Sequence, residues 1–345
     1  MAPVTDTHIL YNEVPQQGHL DFEKTFKVDK SQQFDIDTAK LNGGIAVKIL
    51  SLSIDPFHVA RMRMPQDGSN SLALILGEPI NGPGVAVVLN SEDSSVSVGD
   101  YLTGYFPFAE FAILPNASNF MKIEKHGKHP LSIYVGVAGM PGQTAYFGYM
   151  EYVHDYAKKG DTLFVTTGAG AVGSLVIQLA KRQGLKVIAS AGSEEKVKFM
   201  KECGADVAFN YKITSTEDIL AQYGPINFYW DHVGGESLDL ALAAAAPFAR
   251  IVICGLISGF GSQPVALKNY PNILFKSLNV QGYIVSNLME KYNDLFYSEI
   301  PPKVVSGEIK YLEYTKRGLE ASGQMLMDVM TGKNTGKAII VVADE

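Results

Sequence analysis

Apolar positions along the chain follow two kinds of spacing. Up to about residue 130 they form short runs broken by Gly, Pro and Asp: IAVKILSLSI after Gly43-Gly44, GPGVAVVL, and YLTGYFPFAEFAIL after a turn at Gly99-Asp100. Runs of that length bounded by turn residues predict β-strands. From Leu131 the pattern changes. LSIYVGVAGMPGQTAYFGYMEYV predicts an aromatic-rich amphipathic helix, after which strand-length runs alternate with helical spacing. The order is TLFVTT, a helix through Leu179, KVIASA, the helix EEKVKFMKECG, DVAFNY, a helix near 216–222, NFYWDHV, the helix LDLALAAAAP and the strand RIVICGLI. Such alternation predicts a parallel, doubly wound sheet. The tail predicts a strand at 309–312, a helix in GLEASGQMLMDVM and a last strand in KAIIVVAD. A closing β-run of this kind is expected to pair back onto the front segment, which makes residues 1–130 and 301–345 one discontinuous domain and 131–300 the other.

Length agrees with two domains, since 345 residues exceed what one core serves. Apolar residues at 46% and charged residues at 19% exclude a disordered chain. The net charge of −7 and the scattered basic residues leave no footprint for nucleic acid or an anionic membrane, so a small, weakly charged organic partner is expected. LALAAAAPFARIVICGLI, the longest apolar run, is broken by Pro247 and Arg250 and falls short of a membrane span. No basic stretch followed by an apolar run opens the chain, and a cytoplasmic protein is expected. Cys203 and Cys254 are too few for a disulfide framework, and no histidine stands at ligand spacing, so no metal site is expected. His126 and His129, in KHGKH, read as solvated.

Gly168-Ala169-Gly170-Ala171-Val172-Gly173 fits G-x-G-x-x-G between an apolar run and a helix. The first glycine permits the tight turn, the second lets the backbone approach a pyrophosphate, and the third lets helix and strand pack closely. Free N–H groups and the helix dipole then favour phosphate charge. A dinucleotide site for NAD needs an acid at the end of the next strand, and KVIASA ends instead on Ala191-Gly192-Ser193. Gly192 leaves space there, Ser193 offers a hydroxyl, Lys196 stands one turn into the next helix, and Tyr211 ends the following strand. An extra 2′-phosphate suits this arrangement, so NADP(H) is expected.

With these residues on view, GMPGQTAY (139–146), GAGAVGSLVIQLAK (168–181), AGSEEKV (191–197), FNYK (209–212), VGGE (233–236), ICGLIS (253–258) and GKNTGK (332–337) resemble, in order and spacing, the zinc-independent medium-chain dehydrogenase/reductases. The most similar branch is that of the NADPH-dependent alkenal double-bond reductases and prostaglandin/leukotriene reductases. The resemblance implies a GroES-like, partly open β-barrel catalytic domain, a Rossmann domain, a substrate cleft where they meet, and a homodimer. It implies that Pro56, Met140, Pro141, Gly142 and Thr144 line the cofactor cleft and that Gly168, Gly170, Ala171, Val172 and Gly173 take the pyrophosphate. Gly192, Lys196 and Tyr211 would hold the 2′-phosphate end. His232, Cys254 to Phe260, and Tyr283, Ile284 and Val285 would flank the nicotinamide, and Asn334 would reach the cofactor from the tail. The implied reaction is hydride delivery to the β-carbon of an α,β-unsaturated aldehyde or ketone.

Three positions depart from that branch. Phe57 and Phe260 stand where tyrosine is common, and His232 where asparagine is usual. Each phenylalanine deletes an O–H and reads as pocket lining, beside Tyr283. The donor for the developing enolate is then the nicotinamide ribose, a water, or another tyrosine such as Tyr105 or Tyr283. Substrate choice is expected in 57–72, 258–272 and 283–297. Arg61 and Arg63 are expected to be solvated or to meet an anion. Quinone reduction, or NADP binding without turnover, are the alternatives.

Overall fold

The front of the chain forms strands β1 (Val4–Tyr11), β2 (Phe26–Phe34), β3 (Ile45–Ser53), β4 (Asn81–Ser91), β5 (Tyr101–Pro107), β6 (Phe111–Leu114) and β7 (Met121–Ile123). The computed structural model describes residues 3–15, 21–65, 72–127, 129–260 and 265–345. β3 is buried at every position but Lys48, as its near-continuous apolar run requires of a strand covered on both faces. β1 and β2 make a separate antiparallel ribbon. A short helix, Phe57–Met62, follows β3.

The middle segment alternates helix and strand: α1 (Met140–Tyr149), β8 (Thr162–Val165), α2 (Ala171–Arg182), β9 (Lys186–Ala191), α3 (Glu194–Glu202), β10 (Val207–Asn210), α4 (Thr216–Tyr223), β11 (Ile226–Asp231), α5 (Gly235–Ala244), β12 (Ala245–Ile253), β13 (Asn279–Gly282) and α6 (Met289–Val305). These strands form a six-stranded sheet in the order β10-β9-β8-β11-β12-β13, parallel throughout. The order reverses between β8 and β11, the switch point where doubly wound sheets open a crevice at their carboxyl ends. Phe164, Ile188, Tyr229 and Ile251 pack one core cluster with Leu220, Ala241 and Leu242 of the flanking helices.

The tail adds β14 (Glu313–Arg317), α7 (Ser322–Met330) and β15 (Lys337–Val341). β15 pairs antiparallel with β3, setting Ile339 opposite Ser53, and the order of the seven-stranded sheet is β14-β15-β3-β4-β5-β7, with β6 on β3. The chain thus divides into two compact units, Met1–Gly136 with Glu313–Glu345, and Val137–Leu312. A partly open barrel-type sheet and a Rossmann sheet are the two architectures present.

Two elements differ from expectation, and a third was left open. The tail strand lies at Glu313–Arg317 and not at 309–312, because Ile309 is buried in a turn while the polar EYTKR takes the sheet edge, where one face needs no apolar cover. The α5 helix stops at Ala244, and Ala245 and Ala246 already belong to β12. Helix α6 occupies 289–297 of the segment 283–297, whose shape the sequence leaves open, and continues through Pro301 and Pro302, residues that disfavour a helix interior.

Candidate active site

The glycine turn opens α2. Gly170 caps that helix with no side-chain hydrogen bond, which leaves the first N–H groups, Ala171 and Val172 among them, pointing out of the helix start. A Cβ on Gly173 would sit 2.6 Å from the Thr167 carbonyl oxygen and 2.9 Å from Gly168 Cα, so only glycine lets this turn and helix meet. Thr167 holds φ at +50°, strained for a β-branched residue, and Gly170 N–H donates to its carbonyl (2.8 Å). Gly168 is tied by its N–H to Ser190 O of β9 (2.9 Å).

At the end of β9 the Ser193 hydroxyl oxygen caps α3, accepting from Lys196 N–H at 3.4 Å. Its own O–H remains a donor. A Cβ on Gly192 would lie 3.1 Å from Lys212 Cε and 3.2 Å from the Tyr211 hydroxyl, so Tyr211 and Lys212 close over this glycine. Burial and the neighbouring Lys212 charge pull the Lys196 ammonium below its ordinary value. Two cations held together at a strand end, with a phenol beside them, form a cradle for a dianion. Lys212 joins Lys196, Gly192 and Tyr211, the residues expected here, and was not among them. The signal was there, a second lysine directly after Tyr211 in FNYK.

At the switch point the ends of β8 and β11 are laced together. His232 N–H donates to Thr166 Oγ1 (3.0 Å), and His232 Nδ1 lies 2.7 Å from Thr166 O. A carbonyl only accepts, so Nδ1 carries the proton and Nε2 is left as a buried acceptor without a protein partner. Burial pushes this imidazole down to about 4 and keeps it neutral. Asp231, fully buried, accepts through Oδ1 from Tyr229 O–H (2.8 Å), Val233 N–H (2.9 Å) and Gly234 N–H (2.8 Å), fixing a turn in which Gly234 and Gly235 both have positive φ. Nothing in the sequence reading had singled out Asp231 or Thr166.

Tyr283 packs its ring against Trp230 and Tyr152 and donates its phenolic proton to Thr144 O of α1 at 2.6 Å, with Cys254 Sγ 3.5 Å away. Gly148 makes room: a Cβ there would meet the Tyr283 hydroxyl at 2.5 Å. Burial drives the Tyr283 phenol well above its ordinary value and the Cys254 thiol up to about 11. Tyr283 is therefore a fixed wall. Thr144 Oγ1 is likewise committed, to Met140 O (2.8 Å). Ile284 is exposed, and Val285 and Phe260 are half-buried in the same unit.

Pro56, Phe57 and Asn334 belong to the other unit. Pro56 and Phe57 start the short helix after β3, both half-buried. The residue before them, Asp55, is ion-paired with Lys337 of β15 (2.5 Å), which also donates to Ile54 O (2.9 Å), while Ser53 Oγ donates to the same carboxylate. Asn334 Nδ2 donates to Gly336 O (2.9 Å), so the tail turn is shaped beside this pair. Burial works most strongly on the Asp55 carboxylate, pushing its pKa up, but the Lys337 and His58 charges and the hydrogen bonds from Lys337 and Ser53 together outweigh it and hold its pKa below the usual range. Arg61, expected in solvent or on an anion, is 3% exposed and serves the fold: Nε donates to Leu72 O (2.7 Å) and the guanidinium nitrogens to Asn81 O (2.6 Å) and Oδ1 (2.5 Å). Residues 66–71 and 261–264, part of the segments expected to choose substrate, lie outside the described residues. Among the described residues no group of three or more His, Cys, Asp or Glu side chains stands ready to hold a metal.

A doubly wound sheet with a bare glycine turn and a cationic strand end, carried with a second, mostly antiparallel sheet unit, defines a dinucleotide-dependent oxidoreductase fold. Comparison with known proteins narrows this. Residues 20–123 match the family model of an N-terminal domain of oxidoreductase, and 171–298 that of a zinc-binding dehydrogenase. The chain is 38% identical over 309 residues to the NADP(+)-dependent 2-alkenal reductase of Nicotiana tabacum, covering 87% of this chain and 88% of the relative. It is 37% identical to the (+)-pulegone reductase of Mentha piperita, over 88% and 89% of the two chains. The crystal structure of CurA in complex with NADPH from Vibrio vulnificus superposes with a TM-score of 0.86 at 29% identity, covering 98% of this chain and 100% of that one. The chain belongs to the medium-chain dehydrogenase/reductases, in the branch of NADPH-dependent alkenal and prostaglandin reductases.

Proposed function

We propose that the protein reduces the C=C bond of α,β-unsaturated aldehydes or ketones with NADPH. The observation that carries the cofactor is Lys212 over Gly192, with Lys196 near enough to feel its charge, where an NAD site needs an acid. The kinship to a 2-alkenal reductase carries the reaction. Bound NADPH supplies a hydride from nicotinamide C4 to the substrate β-carbon.

The residues present fit this cofactor. The open N–H groups of Ala171 and Val172, with the α2 dipole, take the pyrophosphate beside Gly168, Gly170 and Gly173. Lys196, Lys212 and Tyr211 hold the 2′-phosphate. His232 Nε2, an orphaned acceptor, receives a hydrogen bond from the cofactor, and Cys254, Phe260, Tyr283, Ile284 and Val285 border the nicotinamide. Met140 and Thr144 contribute the start of α1. Phe260, having no hydroxyl, borders the substrate by shape alone.

NADPH oxidation measured with a panel of enals, enones and quinones tests the proposal. Enal and enone turnover with the saturated carbonyl as product is the expected result. Turnover confined to quinones would replace this reading with quinone reduction, and NADPH binding with no turnover would replace it with a binding protein.

We also infer a homodimer formed across β13, the edge strand of the six-stranded sheet, all four of whose residues are exposed. Phe248 (76%), Leu274 (76%) and Phe275 (80%) are exposed apolar side chains around it, a cluster that suits burial against a second copy. Light scattering is expected to give twice the chain mass, and Phe275→Glu to shift it to the monomer. The two free thiols suit a reducing compartment, and we place the protein in the cytoplasm; fractionation of cells checks this.

A further inference from the structure

The turns that follow β11 and β12 lie at the carboxyl ends of their strands, on the β11 side of the switch point where a doubly wound sheet takes its ligand. They are joined rung by rung. Asp231 O accepts from Cys254 N–H (2.9 Å) and Gly255 N–H (3.0 Å), and His232 O from Ile257 N–H (3.1 Å). Val233 O accepts from both the N–H (3.2 Å) and the O–H (2.5 Å) of Ser258. Three consecutive carbonyls of the first turn therefore set the path of the second.

A single side-chain oxygen sets the first turn. Gly234 and Gly235 hold φ at +72° and +53°, and glycine by itself leaves such a turn free to take other shapes. Asp231 Oδ1 fixes it by accepting from Val233 N–H (2.9 Å) and Gly234 N–H (2.8 Å), besides Tyr229 O–H. Asp231 Oδ2, also buried, has no hydrogen-bond partner among the described residues. Burial pushes this carboxyl's pKa up, against those three hydrogen bonds. A half-partnered buried acid is a cost to the fold, unlike the Asp55–Lys337 pair, in which each charge meets the other.

We propose that Asp231 is a positioning residue for the reaction, its Oδ1 fixing the 233–235 turn and through it the 254–258 turn, so that the nicotinamide half of the cofactor is held in register. This rests on the reading of the protein as an NADPH-dependent reductase. Asp231 acts on the two turns and not on the reacting atoms, and it acts as a hydrogen-bond acceptor rather than as a charge.

The test compares NADPH with adenosine 2′,5′-bisphosphate, which carries the adenosine and 2′-phosphate end alone, on the full chain with Asp231→Ala or Asp231→Asn. Removal of the acceptor in Asp231→Ala is expected to weaken NADPH about tenfold and to leave the bisphosphate within about twofold. With an enone that the wild-type protein turns over, kcat is expected to fall about 100-fold, the effect of a misplaced reacting group. Asp231→Asn keeps an acceptor at Oδ1 and should restore most of both losses. Should Asp231→Ala not fold, Gly234→Ala distorts the same turn, since a side chain there is strained by the positive φ and its Cβ meets Leu256 Cδ2 at 2.9 Å, and the same split between the two ligands is expected. Equal losses for both ligands, a folded variant with affinity and kcat unchanged, or an Asn variant as impaired as the Ala variant overturns the role of Asp231 and leaves the reductase reading standing. A wild-type protein that binds NADPH and reduces no enone overturns the reductase reading alone, and one that binds neither ligand overturns both.

Discussion

Tyr211 and Lys212 follow β10, and Lys196 stands in the first turn of α3 after the neighbouring parallel strand β9, so the proposed phosphate end is built by local rules that any βαβ unit obeys. The face carrying Asp55, Phe57 and Tyr105 is built the opposite way, from segments brought together by strand pairing across most of the chain: β3, the helix after it, β5 and β15. Chemistry differs accordingly. The first region keeps two like charges together, the arrangement proposed above to take a phosphate. In the second, a buried ion pair neutralises itself inside the protein and leaves a surface of rings. The first concentrates charge of one sign, and the second is a scaffold whose charges are spent on shape.

The largest effect expected from that contrast is at Asp55. Removing one partner of a buried pair strands the other, so Asp55→Ala should destabilise the first unit by about 3–5 kcal/mol. Replacing both, as Asp55→Leu with Lys337→Met, should recover most of the loss, because two apolar side chains carry no desolvation penalty. Hydrogen exchange of peptides from the first unit reads both outcomes. If the single variant lost no stability, the pair would not be what fixes that face.

Lys196→Ala probes the other side of the comparison. Loss of one charge-assisted contact should weaken NADPH binding by about 1.5–3 kcal/mol with NADH little changed, and Lys212→Ala should act in the same direction. Titration of both cofactors distinguishes a 2′-phosphate role from a general loss of fit, in which the two affinities would fall together.

The same contrast governs what the sequence discloses. Gly168 to Gly173, the absent acid after KVIASA and Lys196 are legible because the βαβ unit fixes their geometry within a few residues. Lys212 was within reach, one residue from Tyr211. Arg61 was not: its neighbours in sequence suggest a solvated helix, and only the approach of Asn81 and Leu72 shows that it is buried. The Asp55–Lys337 pair spans nearly the whole chain, and no spacing rule connects its members. The shape of 283–297 was left open by the sequence, and in α6 tertiary packing of Phe296, Ile300 and Val304 outweighs the penalty of Pro301 and Pro302.

Each region also buries one histidine, and acid separates their contributions. His58 and His232 are both pushed down to about 4, chiefly by burial. For His58, Asp55 opposes that shift while Arg61 and Lys337 add to it; for His232 the hydrogen bond to Thr166 opposes it. An unfolded histidine takes up its proton near pH 6.5, so between that value and about 4 the unfolded state binds more protons and stability falls as pH falls. Going from pH 7 to 5 should cost on the order of 1–2 kcal/mol for each histidine. The Asp55 carboxylate, held low by Lys337, adds its own loss only under more acid conditions, as pH falls through its folded value. Trp230, the chain's single tryptophan, has its ring 6.5 Å from His232, so its fluorescence reports the second unit. Denaturation followed at Trp230 should lose most of its pH slope in His232→Asn and keep it in His58→Gln. Exchange of first-unit peptides should show the reverse, and an unchanged slope in both variants would mean that neither imidazole is held neutral by its burial.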